Sequence, residues 1–133
     1  MPTIFSKIIA GEIPCHKVWE DDWSFAFLDI RPIQPGHTLL VTKREIDSPF
    51  DLPEDEFCSY LAAAKNLIEP IRRAMGSAKV ALVIEGLEVP HAHIKLVPIS
   101  APGDLAQSNA RDAMPEELAA VAERIRKEIQ TTG

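Results

Sequence analysis

Residues 17–42, KVWEDDWSFAFLDIRPIQPGHTLLVT, decide the fold. Lys17–Glu20 and Ser24–Ile30 are rich in Val, Trp and Phe, and Asp21 and Asp22 stand between them as turn residues, which predicts a β-hairpin. A loop carrying Pro32, Pro35 and Gly36 leads into His37–Thr42, a third strand by composition. Two further short strands are expected at Lys79–Ile84 and His91–Pro98, joined by Glu85, Gly86, Leu87 and Glu88. The helical signals lie in separate blocks. Ile4, Phe5, Ile8 and Ile9 recur at helical spacing and stop at Gly11, and Pro14 forbids continuation. Asp51 with Glu54 three residues later, and Pro53 between them, predicts a helix beginning at Asp51. Phe57, Tyr60, Leu61, Ala64, Ile68, Ile71 and Met75 form one apolar stripe ending at Gly76, with Pro70 predicting a kink or an early stop near Glu69. Leu118, Val121, Ala122, Ile125 and Ile129 mark a last amphipathic helix. Hairpin-forming strands with helices in blocks define an α+β fold: a five-stranded, mainly antiparallel sheet with one long helix and a C-terminal helix.

The 133 residues suit one domain, 1–133, with a polar linker at 99–114 and a helix at 115–130 as an appendage. Hydrophobic residues at 46% and charged residues at 26% match a soluble globular chain and exclude disordered or fibrous classes. Cys15 and Cys58 are too few for a disulfide framework and fit a reducing compartment. A net charge of −6 disfavours a general nucleic-acid or anionic-membrane surface. Neither a signal peptide nor a run of about 18 apolar residues is visible, so the expected location is the cytoplasm.

Of the four histidines, His16, His37, His91 and His93, the last two fall in VPHAHIKLVP, residues 89–98. On a strand, alternate side chains share a face, so His91, His93 and Lys95 project from one side while Ala92, Ile94 and Leu96 pack on the other. Neighbouring like charges repel, so three potentially cationic groups in a row suit an anionic ligand. His16, standing alone, reads as structural. The pair also fits zinc, with His37 or Asp29 as further ligands. Spacing leaves metal and anion chemistry open, and Lys95 in the same row favours an anion, because it repels a divalent cation and attracts phosphate.

Residues 3–42, TIFSKIIAGEIPCHKVWEDDWSFAFLDIRPIQPGHTLLVT, followed by a long helix, a strand and VPHAHIKLVP, resemble the histidine triad superfamily of nucleotide hydrolases and transferases. The resemblance covers most of residues 3–98. It implies a homodimer whose five-stranded sheets join edge to edge, with a pocket for a purine nucleotide or nucleotide conjugate on each subunit and no cofactor. His93 matches the histidine that attacks the α-phosphorus, forming a nucleotidyl-histidine that water then hydrolyses. His91 matches the first histidine of the triad, which orients the nucleophile, and His37 a supporting histidine. Asp29 matches the acid that holds the ribose hydroxyls. Ile4, Phe5, Ile8, Phe27 and Ile30 match the apolar walls around the base, although Ile8, Phe27 and Ile30 would suit the core of any fold.

The departures from the family pattern carry information of their own. The third triad position, normally histidine in the hydrolase branches and glutamine in uridylyltransferase-type and phosphorylase-type relatives, is Lys95. Lysine neutralises developing phosphate charge, but it is a flexible point charge with no acceptor when protonated, which bears on how the leaving group gains a proton. The loop Ile84–Val89, IEGLEV, is shorter than in nucleoside phosphoramidases and lacks their Gly-Gln-Ser run. Thr3-Ile4-Phe5-Ser6 stands where zinc-binding members carry Cys-x-x-Cys, so that metal site is absent. The reading is a nucleotide hydrolase with His93, His91, Lys95 and His37 in the reaction. The alternatives are a catalytically weak nucleotide-sensing dimer, a nucleotidyltransferase, and a zinc hydrolase through His91, His93 and His37.

Overall fold

In the computed structural model, which describes residues 2–132, the element order is α1 (Ile4–Ile9), β1 (Lys17–Glu20), β2 (Ser24–Leu28), β3 (Thr38–Thr42), α2 (Glu54–Met75), β4 (Lys79–Val83), β5 (His93–Ile99) and α3 (Pro115–Thr132). The strands form one sheet in the order β1-β2-β3-β5-β4, and every neighbouring pair is antiparallel. The fold class is α+β, as the hairpin pattern indicates.

Alternation along the strands gives the sheet two chemically different faces. Ala26, Leu28, Leu40, Ile94 and Leu96 look toward Tyr60, Ala64, Leu67 and Ile71 of α2 and toward Leu118, Ala122 and Ile125 of α3, and together they make the larger core. The opposite face packs Phe25, Phe27, Leu39 and Val41 against Phe5 and Ile8 of α1. In register across this second face, Val41 stands opposite His93 and Leu39 opposite Lys95. The helix expected as an appendage therefore packs into the core, because its apolar stripe has α2 and the sheet to cover it.

Several boundaries depart from expectation for identifiable reasons. Ser48, not Asp51, caps a short 3₁₀ turn at Pro49–Asp51, and α2 begins at Glu54 with Pro53 at its N-cap and no side-chain cap. Leu52 precedes a proline, which forces it out of the helical region and separates the turn from the helix. The helix does not stop near Glu69; α2 runs through Pro70 to Met75. Pro70 removes one backbone donor, and the buried ladder of Tyr60, Ala63, Ala64, Leu67, Ile71 and Ala74 outweighs that local penalty of about 3 kcal/mol. Gly76 ends the helix in the left-handed conformation. β2 stops at Leu28 because the Asp29 side chain accepts the Arg31 N–H and turns the chain. Gly36, at φ 93°, presses so close to α2 that a Cβ would stand 2.5 Å from Met75 Cγ, so this loop is pinned to the helix end.

Candidate active site

The second face of the sheet gathers the titratable groups. His37 just before β3, His91 before β5, and His93 and Lys95 on β5 are 2%, 0%, 5% and 8% exposed, far below what such side chains show without a reason to be buried. His91 lies outside the strand that was expected to hold it, yet it keeps to the same face. The Phe5 ring meets His91 edge-on at 5.6 Å between centroids and His93 at 5.2 Å.

Hydrogen bonds fix the two imidazoles of the pair. His93 Nδ1 lies 2.7 Å from the backbone carbonyl of His91, which only accepts, so Nδ1 carries the proton and Nε2 of the neutral ring holds a free lone pair. His91 is tied at both nitrogens. Its Nε2 donates to the Thr42 carbonyl at 2.6 Å, which leaves Nδ1 to accept from the Thr3 hydroxyl, also at 2.6 Å. Thr3 caps α1 by accepting the Ser6 N–H, so the N-terminal helix and the histidine pair form one hydrogen-bonded unit. Thr3 was missed from sequence, because only the fold brings its hydroxyl across to a residue 88 positions away.

His37 is held differently. Its Nδ1 accepts the Ile33 N–H at 3.0 Å, so the neutral ring carries its proton on Nε2. That Nε2 is buried with no hydrogen-bond partner among the described residues, and Asp29 Oδ2 stands 3.7 Å from it. Burial pushes His37 down to about 4; Asp29 opposes that shift, and the charges of Lys95 and His93 add to it. At neutral pH His37 is thus an uncharged donor lacking an acceptor, next to a carboxylate with one oxygen to spare.

Lys95 Nζ donates to Glu85 Oε1 at 2.8 Å, with the lysine side chain 10% exposed and the glutamate 46%. The hydrogen bond from Lys95 and its charge hold the Glu85 carboxyl below the usual carboxylate range. Glu85 lies in the loop that extends β4, where continuing the Val83–Lys95 register sets it opposite His93. Its part was also missed from sequence, although that two-residue continuation was a usable signal. Of the expected base-wall residues, Phe5, Ile8 and Phe27 are packed together, whereas Ile4 and Ile30 are 50% and 68% exposed at the rim.

The zinc alternative does not fit this arrangement. Among the described residues no three His, Cys, Asp or Glu side chains converge on a metal position, and both nitrogens of His91 are already committed to Thr3 and Thr42. A cavity of about 400 Å³ adjoins the Asp29 and His37 end of the face, bounded by the 29–37 loop and by Asn109, Arg111 and Glu117. A second, of about 740 Å³, lies between the hairpin tip at Trp23 and the start of α2 and is lined by no histidine.

One face of an antiparallel sheet in an α+β fold thus presents a tautomer-fixed histidine, an anchored ammonium and an acid together. The HIT domain model matches residues 10–101, and the chain belongs to this family. An uncharacterized HIT-like protein of Methanocaldococcus jannaschii is 38% identical over 100 residues, covering 71% of this chain and 77% of that protein. An adenosine 5′-monophosphoramidase of Saccharomyces cerevisiae is 34% identical over 71% of this chain and 61% of its own length. An adenylylsulfatase of Arabidopsis thaliana is 30% identical over 71% and 51%. The crystal structure of a HIT-like protein from Bartonella henselae superposes with a TM-score of 0.84 at 27% identity, covering 95% of both chains. The family thus includes nucleotide hydrolases.

Proposed function

We propose that the protein hydrolyses nucleotide conjugates at the α-phosphate of a purine nucleotide through a nucleotidyl-histidine on His93. The carrying observation is the bond from His93 Nδ1 to the His91 carbonyl, which leaves Nε2 deprotonated and points to an in-place nucleophile needing no further base. In the first step the Nε2 lone pair bonds to the α-phosphorus as the bond to the leaving group breaks. In the second, water bonds to that phosphorus, the P–N bond returns its electrons to Nε2, and the water's proton passes to solvent. As the pentacoordinate state forms, the imidazole gains positive charge, and the carbonyl at Nδ1–H stabilises it.

Lys95 neutralises the non-bridging phosphate oxygens as charge builds on them. His91 acts as a positioning residue, locked by Thr3 and Thr42 so that its carbonyl stays fixed. Asp29 binds the ribose, and its Oδ2, the oxygen not taken by the Arg31 N–H, supports this role as an acceptor for a hydroxyl. Ile4, Phe5, Ile8, Phe27 and Ile30 receive the base. The relatives' names, a monophosphoramidase and an adenylylsulfatase, support an adenosine nucleotide as the first substrate to try. The free edge of β4 supports the expected edge-to-edge homodimer. The two free cysteines suit the cytoplasm, and among the described residues no helix is long and apolar enough to cross a membrane.

Incubation with adenosine 5′-phosphoramidate and adenosine 5′-phosphosulfate, with AMP followed by chromatography, tests the proposal. AMP released from either substrate, and lost in His93→Ala, is the expected result. Nucleotide binding with no AMP above the His93→Ala background would replace it with the sensing reading.

A further inference from the structure

We infer that Lys95, anchored by Glu85, tunes this site to nucleotide conjugates whose leaving group departs as an anion, such as a sulfate, a carboxylate or a phosphate chain, rather than as an amine; this rests on the nucleotidyl-histidine route proposed for His93. The geometry is the 2.8 Å ion pair between Lys95 Nζ and Glu85 Oε1, with the lysine side chain nearly buried on the same sheet face as His93.

The two kinds of leaving group make opposite demands. When a P–N bond breaks, the nitrogen must leave as a neutral amine, so it has to take up a proton as the His93 Nε2–P bond forms. A group close to the departing nitrogen has to supply that proton. When a P–O bond to sulfate breaks, the electron pair leaves on the sulfate oxygen, and the product is a stable anion that needs no proton. What it needs is positive charge near the departing oxygen.

Lys95 meets the second demand and fails the first. An ordinary ammonium has a pKa near 10.4 against about 6.5 for imidazolium, so lysine is the weaker acid by about four orders of magnitude. Glu85 Oε1 takes up one N–H of the Lys95 ammonium at 2.8 Å. It also orients the ammonium. A lone lysine would be a mobile point charge on a flexible stem, whereas one tied to the β4–β5 loop is fixed beside His93. His37 Nε2–H, a donor on this face with no partner among the described residues, lies by Asp29 at the ribose end, so it does not substitute at the leaving group.

The test is the ratio of kcat/KM for adenosine 5′-phosphosulfate to that for adenosine 5′-phosphoramidate, measured in the intact protein and in two variants. The wild type is expected to favour the phosphosulfate by about a hundredfold, the range that a missing general acid costs. Lys95→His supplies an acid and is expected to lower the ratio at least about tenfold by raising phosphoramidate turnover. Lys95→Arg keeps the charge and donates no proton, so its ratio should stay at or above that of the wild type. A wild type that cleaves the phosphoramidate as fast as the phosphosulfate, or a Lys95→His variant with an unchanged ratio, would overturn the inference while leaving the His93 route intact. Release of AMP from neither substrate above His93→Ala would overturn both.

Discussion

Along β5, Ile94 and Leu96 enter an aliphatic layer closed by α2 and α3, while His93 and Lys95, one residue away in each case, share the other face with Phe5, Phe27 and Leu39. On the first face each buried group gains from leaving water. On the second, buried imidazoles and an ammonium lose hydration and are retained only where hydrogen bonds or a ligand compensate. The strand's period of two thereby separates the residues that hold the fold from those that do chemistry, although they alternate in sequence. It follows that substitutions one position apart should damage different properties.

The sharpest break of that contrast comes from His93→Ala. AMP formation should fall by about a thousandfold or more, as for other removed nucleophiles, while the thermal midpoint shifts little. Chromatographic assay and thermal melts on the same preparation check both. Its neighbour gives the reverse pattern: Ile94→Ala, at a fully buried site, should cost about 2–5 kcal/mol in urea unfolding while activity per folded molecule persists.

A smaller effect belongs to His37. Its folded-state value, about 4, lies below the ordinary 6.5, so between these values the unfolded chain binds a proton that the folded chain does not. Stability from this group is complete above pH 6.5 and drains as pH falls toward 4, by up to about 1.4 kcal/mol per pH unit. Urea titrations at pH 7, 6 and 5 should show that loss in the wild type, and it should shrink in His37→Asn, which keeps an acceptor for the Ile33 N–H without a titrating ring. The smallest expected change is in Thr3→Ala, about 1 kcal/mol from the lost cap of α1, with a several-fold fall in activity as His91 loses its Nδ1 partner. An unchanged rate there would mean that the lock on His91 does not reach the nucleophile.

Much of this face was legible before any coordinates. Alternation in VPHAHIKLVP put His93 and Lys95 on one side and Ile94 and Leu96 on the other, and Asp21–Asp22 marked a turn that the structure confirms, with Asp21 Oδ1 accepting the Trp23 and Ser24 N–H groups. Local signals failed where nonlocal packing or a competing residue overrode them. Asp51 resembled a helix cap, but the constraint on Leu52 from Pro53 moved the start to Glu54, and Pro70 was carried through by the buried ladder around it. Thr3 was out of reach for a different reason: it acquires its partner only when the chain folds, across 88 residues. Glu85 was within reach, since continuing the β4–β5 register by two residues sets it opposite His93, but its part was missed.

The most direct measurement is the intact mass of the protein after a brief, quenched exposure to adenosine 5′-phosphosulfate, followed by peptide mapping. A free Nε2 on His93 requires a transient gain of one adenylyl group, located on the peptide containing that residue and missing from His93→Ala. An unmodified wild type that nonetheless releases AMP, or an adduct that survives in His93→Ala, would contradict covalent catalysis at this histidine.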